Sequence, residues 1–119
     1  MPKYIQADQF FYPHGIRQGG YLESVNGKFG KWVTKIPADA DVIDYTGYSI
    51  APGLVDTHIH GFGGVDVMDN NIEGTLHTMS EGLLTTGVTS FLPTTLTSSY
   101  EQLLAVTENI GAHYQEATG

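Results

Sequence analysis

With 119 residues the chain can bury only a modest core, and 13 acidic against 5 basic residues leave a formal net charge of -8, which argues against nucleic acid as a partner. Cysteine is absent, so disulfides and thiolate metal sites are excluded and any metal must be held by His, Asp or Glu. The opening Met1-Pro-Lys-Tyr has no charged leader before an apolar stretch, and no apolar run is long enough to span a bilayer; the expectation is a cytoplasmic protein without a membrane partner.

Residues 3 to 50 read as short strands: Tyr4 to Ala7, Phe10 to Tyr12, Gly19 to Val25 and Phe29 to Thr34, with Asn26-Gly27 as a tight hairpin turn between the last two. Val42-Ile43 and Tyr48 to Ile50 flank Tyr45-Thr-Gly47, which reads as another turn. The pattern predicts a small antiparallel sheet with Phe10, Tyr21, Phe29 and Trp32 in its core. Charge is balanced here, five basic against five acidic residues, whereas residues 51 to 119 carry eight acidic groups and neither lysine nor arginine. The permanent positive partner of an anionic substrate would therefore come from the first segment, from downstream residues or from another subunit.

Pro52-Gly53 marks the expected boundary between a sheet module, residues 1–51, and a second domain, residues 52–119. Leu54 to His60 is apolar or β-branched at most positions and reads as a buried strand ending at Gly61. Alternation puts Asp56, His58 and His60 on one side of it. Two imidazoles at i and i+2 either converge on a metal ion or must each find a hydrogen-bond partner, and their place at a glycine-bounded strand end favours the metal. Zinc is the default ion, with iron or manganese also suited to His and carboxylate ligands. Asp56, deeper in the strand, is expected to accept a hydrogen bond from a histidine or a nearby backbone group rather than to ligate.

Gly61-Phe-Gly-Gly64 and Asp66 to Asn71 read as a loop through which a substrate could approach the metal. Asn70 and Glu73 have capping-box spacing before a helical stripe of Ile72, Leu76, Met79 and Leu83 that stops at Gly87, with His77 beside the stripe in a surface or packing role. Val88 to Leu92 is a short apolar strand that leads through Pro93 to Thr94-Thr95. Ser98 and Glu101 repeat the capping spacing before a second amphipathic helix bearing Leu103, Val106, Ile110 and Tyr114. Strand, helix, strand, helix implies a parallel sheet whose active end lies at the strand C-termini, where His58, His60, Thr94 and Thr95 fall. Pattern alone leaves open a doubly wound sheet or an eight-stranded barrel of roughly 250 residues.

The stretch Ala51 to Asp69, with Pro52-Gly-Leu-Val-Asp-Thr-His-Ile-His60 and His60-Gly-Phe-Gly-Gly-Val-Asp-Val-Met-Asp69, together with Gly87-Val-Thr-Ser-Phe-Leu-Pro-Thr-Thr95, resembles the N-acetylglucosamine-6-phosphate deacetylases of the amidohydrolase superfamily. The resemblance runs through all 119 residues and covers about the first third of such an enzyme. It implies an α/β fold: the N-terminal part of a small β-sandwich followed by the first two β/α units of an incomplete (β/α)8 TIM barrel. It also implies metal-dependent hydrolysis of the acetamide of N-acetylglucosamine 6-phosphate in the full-length enzyme, a homodimer, and His58 and His60 as metal ligands. The remaining ligands and the general base lie beyond residue 119, so the chain alone is expected to be inactive. Other superfamily hydrolases share His-x-His, but dihydroorotase-like members place an arginine soon after it and adenine-deaminase-like members follow it with Glu-Ser-Ser; Gly61-Phe-Gly-Gly64 does neither. A non-catalytic β-rich sugar-binding or structural module has no positive motif here.

Overall fold

The computed structural model describes residues 1–69 and 74–116. Strands β1 (Lys3–Tyr12), β2 (Gly15–Gln18), β3 (Tyr21–Val25), β4 (Lys28–Val33) and β5 (Asp41–Ile50) precede β6 (Leu54–Ile59), β7 (Gly61–Phe62) and β8 (Val65–Asp66). Helix α1 (Thr75–Leu84), strand β9 (Val88–Pro93), helix α2 (Tyr100–His113) and a 3-10 turn over Tyr114–Glu116 complete the order. Two compact units result, Met1–Pro52 and Gly53–Gly119.

The first unit is one five-stranded sheet built around β1. Its N-terminal half pairs antiparallel with β3, its C-terminal half antiparallel with β2, and its other edge runs parallel to β5. The sheet is thus mixed rather than antiparallel throughout. Asn26 and Gly27, with φ of 51° and 72°, form the expected tight turn between β3 and β4, because both central residues of such a turn need positive φ. Tyr45-Thr-Gly47, expected to be a turn, lies instead within the single strand β5, where the register slips between Ala7 and Gln9 of β1. The Asp8 carboxylate accepts the Gly47 amide hydrogen (3.0 Å), and the Asp44 carboxylate accepts from the Thr46 amide (2.8 Å) and hydroxyl (2.6 Å). Those side chains satisfy backbone donors that the slipped ladder leaves over, so the strand continues instead of reversing.

Ala7, Phe10 and Leu22 form the core of this unit, with Ile5, Trp32 and Ile50 packed against it. Phe10 is 1% exposed, as its place on the inner face of a central strand requires. Phe29, also expected inside, is 72% exposed, because it lies at the start of the edge strand β4. Trp32 keeps its indole N–H on the Gly19 carbonyl (2.9 Å), while the Arg17 guanidinium lies 5.3 Å from its ring centroid.

In the second unit β6 and β9 pair parallel, as strand-helix-strand connectivity predicts. Helix α1 buries Leu76, Met79 and Leu83, and Met79 meets Val67 and Val106 in a core ringed by Ile59, Phe62, Val65, Met68, Phe91 and Ile110. The β7–β8 hairpin and the second helix cover this stripe of α1. What stays open is strand surface. Leu54 and Val55 are 61% and 64% exposed, so β6 is not the buried strand that its composition predicts.

The helix starts also depart from expectation. Gly74, in the left-handed conformation, is the N-cap residue of α1 with no side-chain cap; the proposed Asn70 and Glu73 box, and Ile72, lie outside the described residues. Helix α2 is capped by Ser99, whose hydroxyl accepts from the Gln102 amide, one residue later than the Ser98 and Glu101 reading. Tyr114, expected on the buried stripe, falls past the end of α2 and is exposed. Among the described residues no helix is long and apolar enough to cross a membrane.

Candidate metal centre

The site is assembled at the C-terminal end of β6, where the parallel ladder with β9 breaks. Asp56 pairs with Phe91 but Ile59 pairs with Pro93, so three residue steps on β6 span two on β9. The extra residue makes a bulge at Thr57 and His58, and a bulge re-aims side chains. The Asp56 carboxylate accepts the His58 amide hydrogen (3.1 Å) across it. Asp56 therefore serves a backbone donor beside the site, one of its two expected roles.

On the far side of the bulge a single residue completes the strand. The Thr94 hydroxyl accepts the Ile59 amide hydrogen (3.2 Å) and donates to the Leu92 carbonyl (3.0 Å), and the Thr94 amide donates to the Ile59 carbonyl (2.8 Å). Its carbonyl oxygen lies 3.0 Å from Nδ1 of His60. A carbonyl can only accept, so Nδ1 carries the hydrogen and a neutral His60 presents its lone pair at Nε2.

His58 and His60 meet there. Their rings are edge to face at 72°, with centroids 5.0 Å apart, and the two Nε2 atoms are separated by 3.2 Å. Two nitrogens bound tetrahedrally to one zinc ion at about 2.0–2.1 Å would be about 3.3–3.4 Å apart. The donor set therefore fits one shared ion, and the outer nitrogen of His60 already has the kind of carbonyl partner that orients a ligand. Two donors do not make a complete site: among the described residues no group of three or more His, Cys, Asp or Glu side chains is placed to hold a metal.

The glycine-rich segment is more ordered than its composition predicts. Gly61-Phe62 and Val65-Asp66 form a two-stranded hairpin turned by Gly63 and Gly64, with φ of 67° and 86°, the geometry a two-residue turn demands. A Cβ on Gly61 would drive into the Val65 carbonyl, and the Val67 amide donates to the His60 carbonyl (2.7 Å). The hairpin is thereby fastened to the residue that carries the site. The Asp66 and Asp69 carboxylates each accept a loop amide hydrogen, Asp66 from Met68 and Asp69 from Asp66, both at 2.8 Å. His77 is remote in role, forming an i,i+4 pair with Glu81 at 3.5 Å on the exposed face of α1.

Sequence reasoning placed Thr94 at the active end of the sheet but gave it no role. The available signal was a threonine directly after the strand-ending Pro93, where a hydroxyl can stand in for a ladder acceptor. The bulge itself leaves no mark in the composition of Leu54 to Ile59.

No protein-family model matches the chain. It is 42% identical over 66 residues to an N-acetylglucosamine-6-phosphate deacetylase of Vibrio furnissii, a match over 56% of this chain and 16% of the relative. To the enzyme of the same name from Lysinibacillus sphaericus it is 38% identical over 77 residues, covering 64% of this chain and 20% of the relative. The crystal structure of N-acetylglucosamine-6-phosphate deacetylase from Pasteurella multocida superposes with a TM-score of 0.87 at 24% identity, over 98% of this chain and 31% of that one. The chain thus spans about a fifth or less of the length of these curated relatives.

Proposed function

We propose, because this chain belongs to the amidohydrolase superfamily as the N-terminal portion of an N-acetylglucosamine-6-phosphate-type deacetylase, that His58 and His60 supply two imidazole ligands to the divalent ion of a deacetylase. The observation that carries this reading is the 3.2 Å approach of the two Nε2 atoms at the end of a parallel strand, with His60 held through its other nitrogen. In the full-length enzyme the reaction would be hydrolysis of the acetamide of N-acetylglucosamine 6-phosphate to glucosamine 6-phosphate and acetate. Zinc is the ion best suited to the pair, with iron or manganese as alternatives.

When bound, such an ion lowers the pKa of a coordinated water and polarises the acetamide carbonyl. This chain's own contribution is placement. Asp56 and Thr94 hold the bulge, the Thr94 carbonyl sets the His60 tautomer, and the hairpin turn at Gly63-Gly64 keeps side-chain bulk away from its tip. The general base and the remaining ligands would lie in downstream residues, and the cation that recognises phosphate would come from there, from residues 1–50 or from another subunit, for residues 51 to 119 contain no lysine or arginine. A homodimer whose neighbouring subunit contributes a phosphate-binding cation, in a cytoplasmic enzyme, fits that charge distribution. Residues 1–51 would then be the start of the sandwich and residues 52–119 the start of the barrel.

Metal analysis of the full-length protein tests the reading. The double variant His58→Ala, His60→Ala should lose bound metal and with it acetate release from the substrate. Unchanged stoichiometry and affinity would sink the ligand assignment. The 119-residue chain alone, supplied with zinc or manganese, should release no glucosamine 6-phosphate.

A further inference from the structure

Thr94 makes four hydrogen bonds through three polar groups on one short stretch of structure. Its hydroxyl takes the Ile59 amide hydrogen at the point where the β6–β9 register has slipped, in place of the backbone carbonyl that a regular parallel ladder would offer, and passes its own hydrogen to Leu92. Its amide returns a bond to the Ile59 carbonyl, and its own carbonyl receives the Nδ1 hydrogen of the next residue, His60. Ile59 is consequently held at both its amide N–H and its carbonyl by one residue. The His60 ring is fixed by the same residue's carbonyl.

We infer that Thr94 is a positioning residue: its hydroxyl closes the bulge at the end of β6 and so places its carbonyl to hold His60 as the Nδ1–H tautomer, with the Nε2 lone pair directed at His58 and at any ion the two rings share. The inference rests on the ligand reading of His58 and His60 for its functional meaning, but the tautomer it requires is a property of the protein without metal. A hydroxyl, rather than bulk, is what the position needs. Valine matches threonine in shape and β-branching yet offers Ile59 no acceptor, whereas serine keeps the acceptor and loses a methyl group.

The test uses the full-length protein labelled with 15N-histidine, stripped of metal and held at a pH where the imidazoles are neutral, and compares native, Thr94→Val and Thr94→Ser forms. Ring 15N–1H correlations should show His60 as the Nδ1–H tautomer in the native and Ser forms and as a tautomer mixture in the Val form. Zinc affinity, read by competition with a chromophoric chelator, should fall by about tenfold or more in the Val form and stay near native in the Ser form. A Val form with native tautomer and native affinity would overturn the inference, as would equal losses in Ser and Val. If Thr94→Val does not fold, the native spectrum decides, because an Nε2–H tautomer at His60 contradicts the proposal outright. If His58→Ala, His60→Ala leaves zinc binding unchanged, the ligand reading fails and the tautomer comparison still rules on Thr94.

Discussion

Among the described residues two strand pairs run parallel, and register slips interrupt both. Between β1 and β5 the slip is closed by two carboxylates, Asp8 on the Gly47 amide and Asp44 on Thr46. Between β6 and β9 the slip from Asp56 to Ile59 is closed by one carboxylate, Asp56, and one hydroxyl, that of Thr94. The first bulge brings no ring nitrogens together, while the second brings two imidazole nitrogens to 3.2 Å. A bulge in a parallel pair is therefore not a site in itself. It becomes one where it falls at the strand C-terminus and where a neighbouring carbonyl is free to hold the re-aimed ring.

If the second bulge depends on the helices packed beneath it and the first on its own side chains, lesions should separate them. The largest effect is expected for Met79→Ala, which empties a fully buried position between Val67 and Val106 and should cost about 2–5 kcal/mol. Peptide-resolved hydrogen exchange should then show lost protection within residues 53–116; protection lost first in β1 and β5 would break the comparison. Gly61→Ala should cost about 1–3 kcal/mol, because its Cβ cannot fit against the Val65 carbonyl unless the hairpin moves. That movement should shift the His60 ring resonances, and an unshifted spectrum would detach the hairpin from the site.

Asp8→Ala removes the acceptor of the Gly47 amide at the first bulge, an exposed position where water can replace it. A loss of about 0.5–1.5 kcal/mol in urea unfolding is expected, with no change at His58 or His60. The smallest effect is the titration of Asp44, whose hydrogen bonds from the Thr46 hydroxyl and then the Thr46 amide hold its carboxyl below the usual aspartate range. Because the folded value is the lower one, its stabilising contribution is present above the unfolded aspartate value of about 3.9 and fades as pH falls through the folded value. An NMR titration of Asp44 with an ordinary midpoint would remove it from the description of the first bulge.

Much of this was legible in the residues. The Asn26-Gly27 turn, the parallel pairing of Leu54 to Ile59 with Val88 to Pro93, and the Leu76, Met79, Leu83 face follow from turn chemistry and periodicity, which are local signals. Tyr45-Thr-Gly47 reads as a turn in sequence because a glycine after two β-formers signals a turn equally well as a bulge, and the deciding partner, Asp8, is 39 residues away. Phe29 reads as a core residue because composition cannot tell an edge strand from a central one. At the site, His58 and His60 announce themselves by type and spacing, whereas Thr94 acts through a backbone carbonyl and a ladder defect 34 and 35 residues from its partners. Such contacts exist only once the strands have paired.

The most direct test is X-ray absorption at the zinc edge of the full-length protein, comparing the native form with His58→Ala, His60→Ala. Native protein should show imidazole scattering from both histidines in a nitrogen shell at about 2.0–2.1 Å, and the variant should lose that scattering or the metal itself. An identical imidazole shell and zinc content in the variant would show that the convergence of His58 and His60 is a hydrogen-bonded pair and not a metal site.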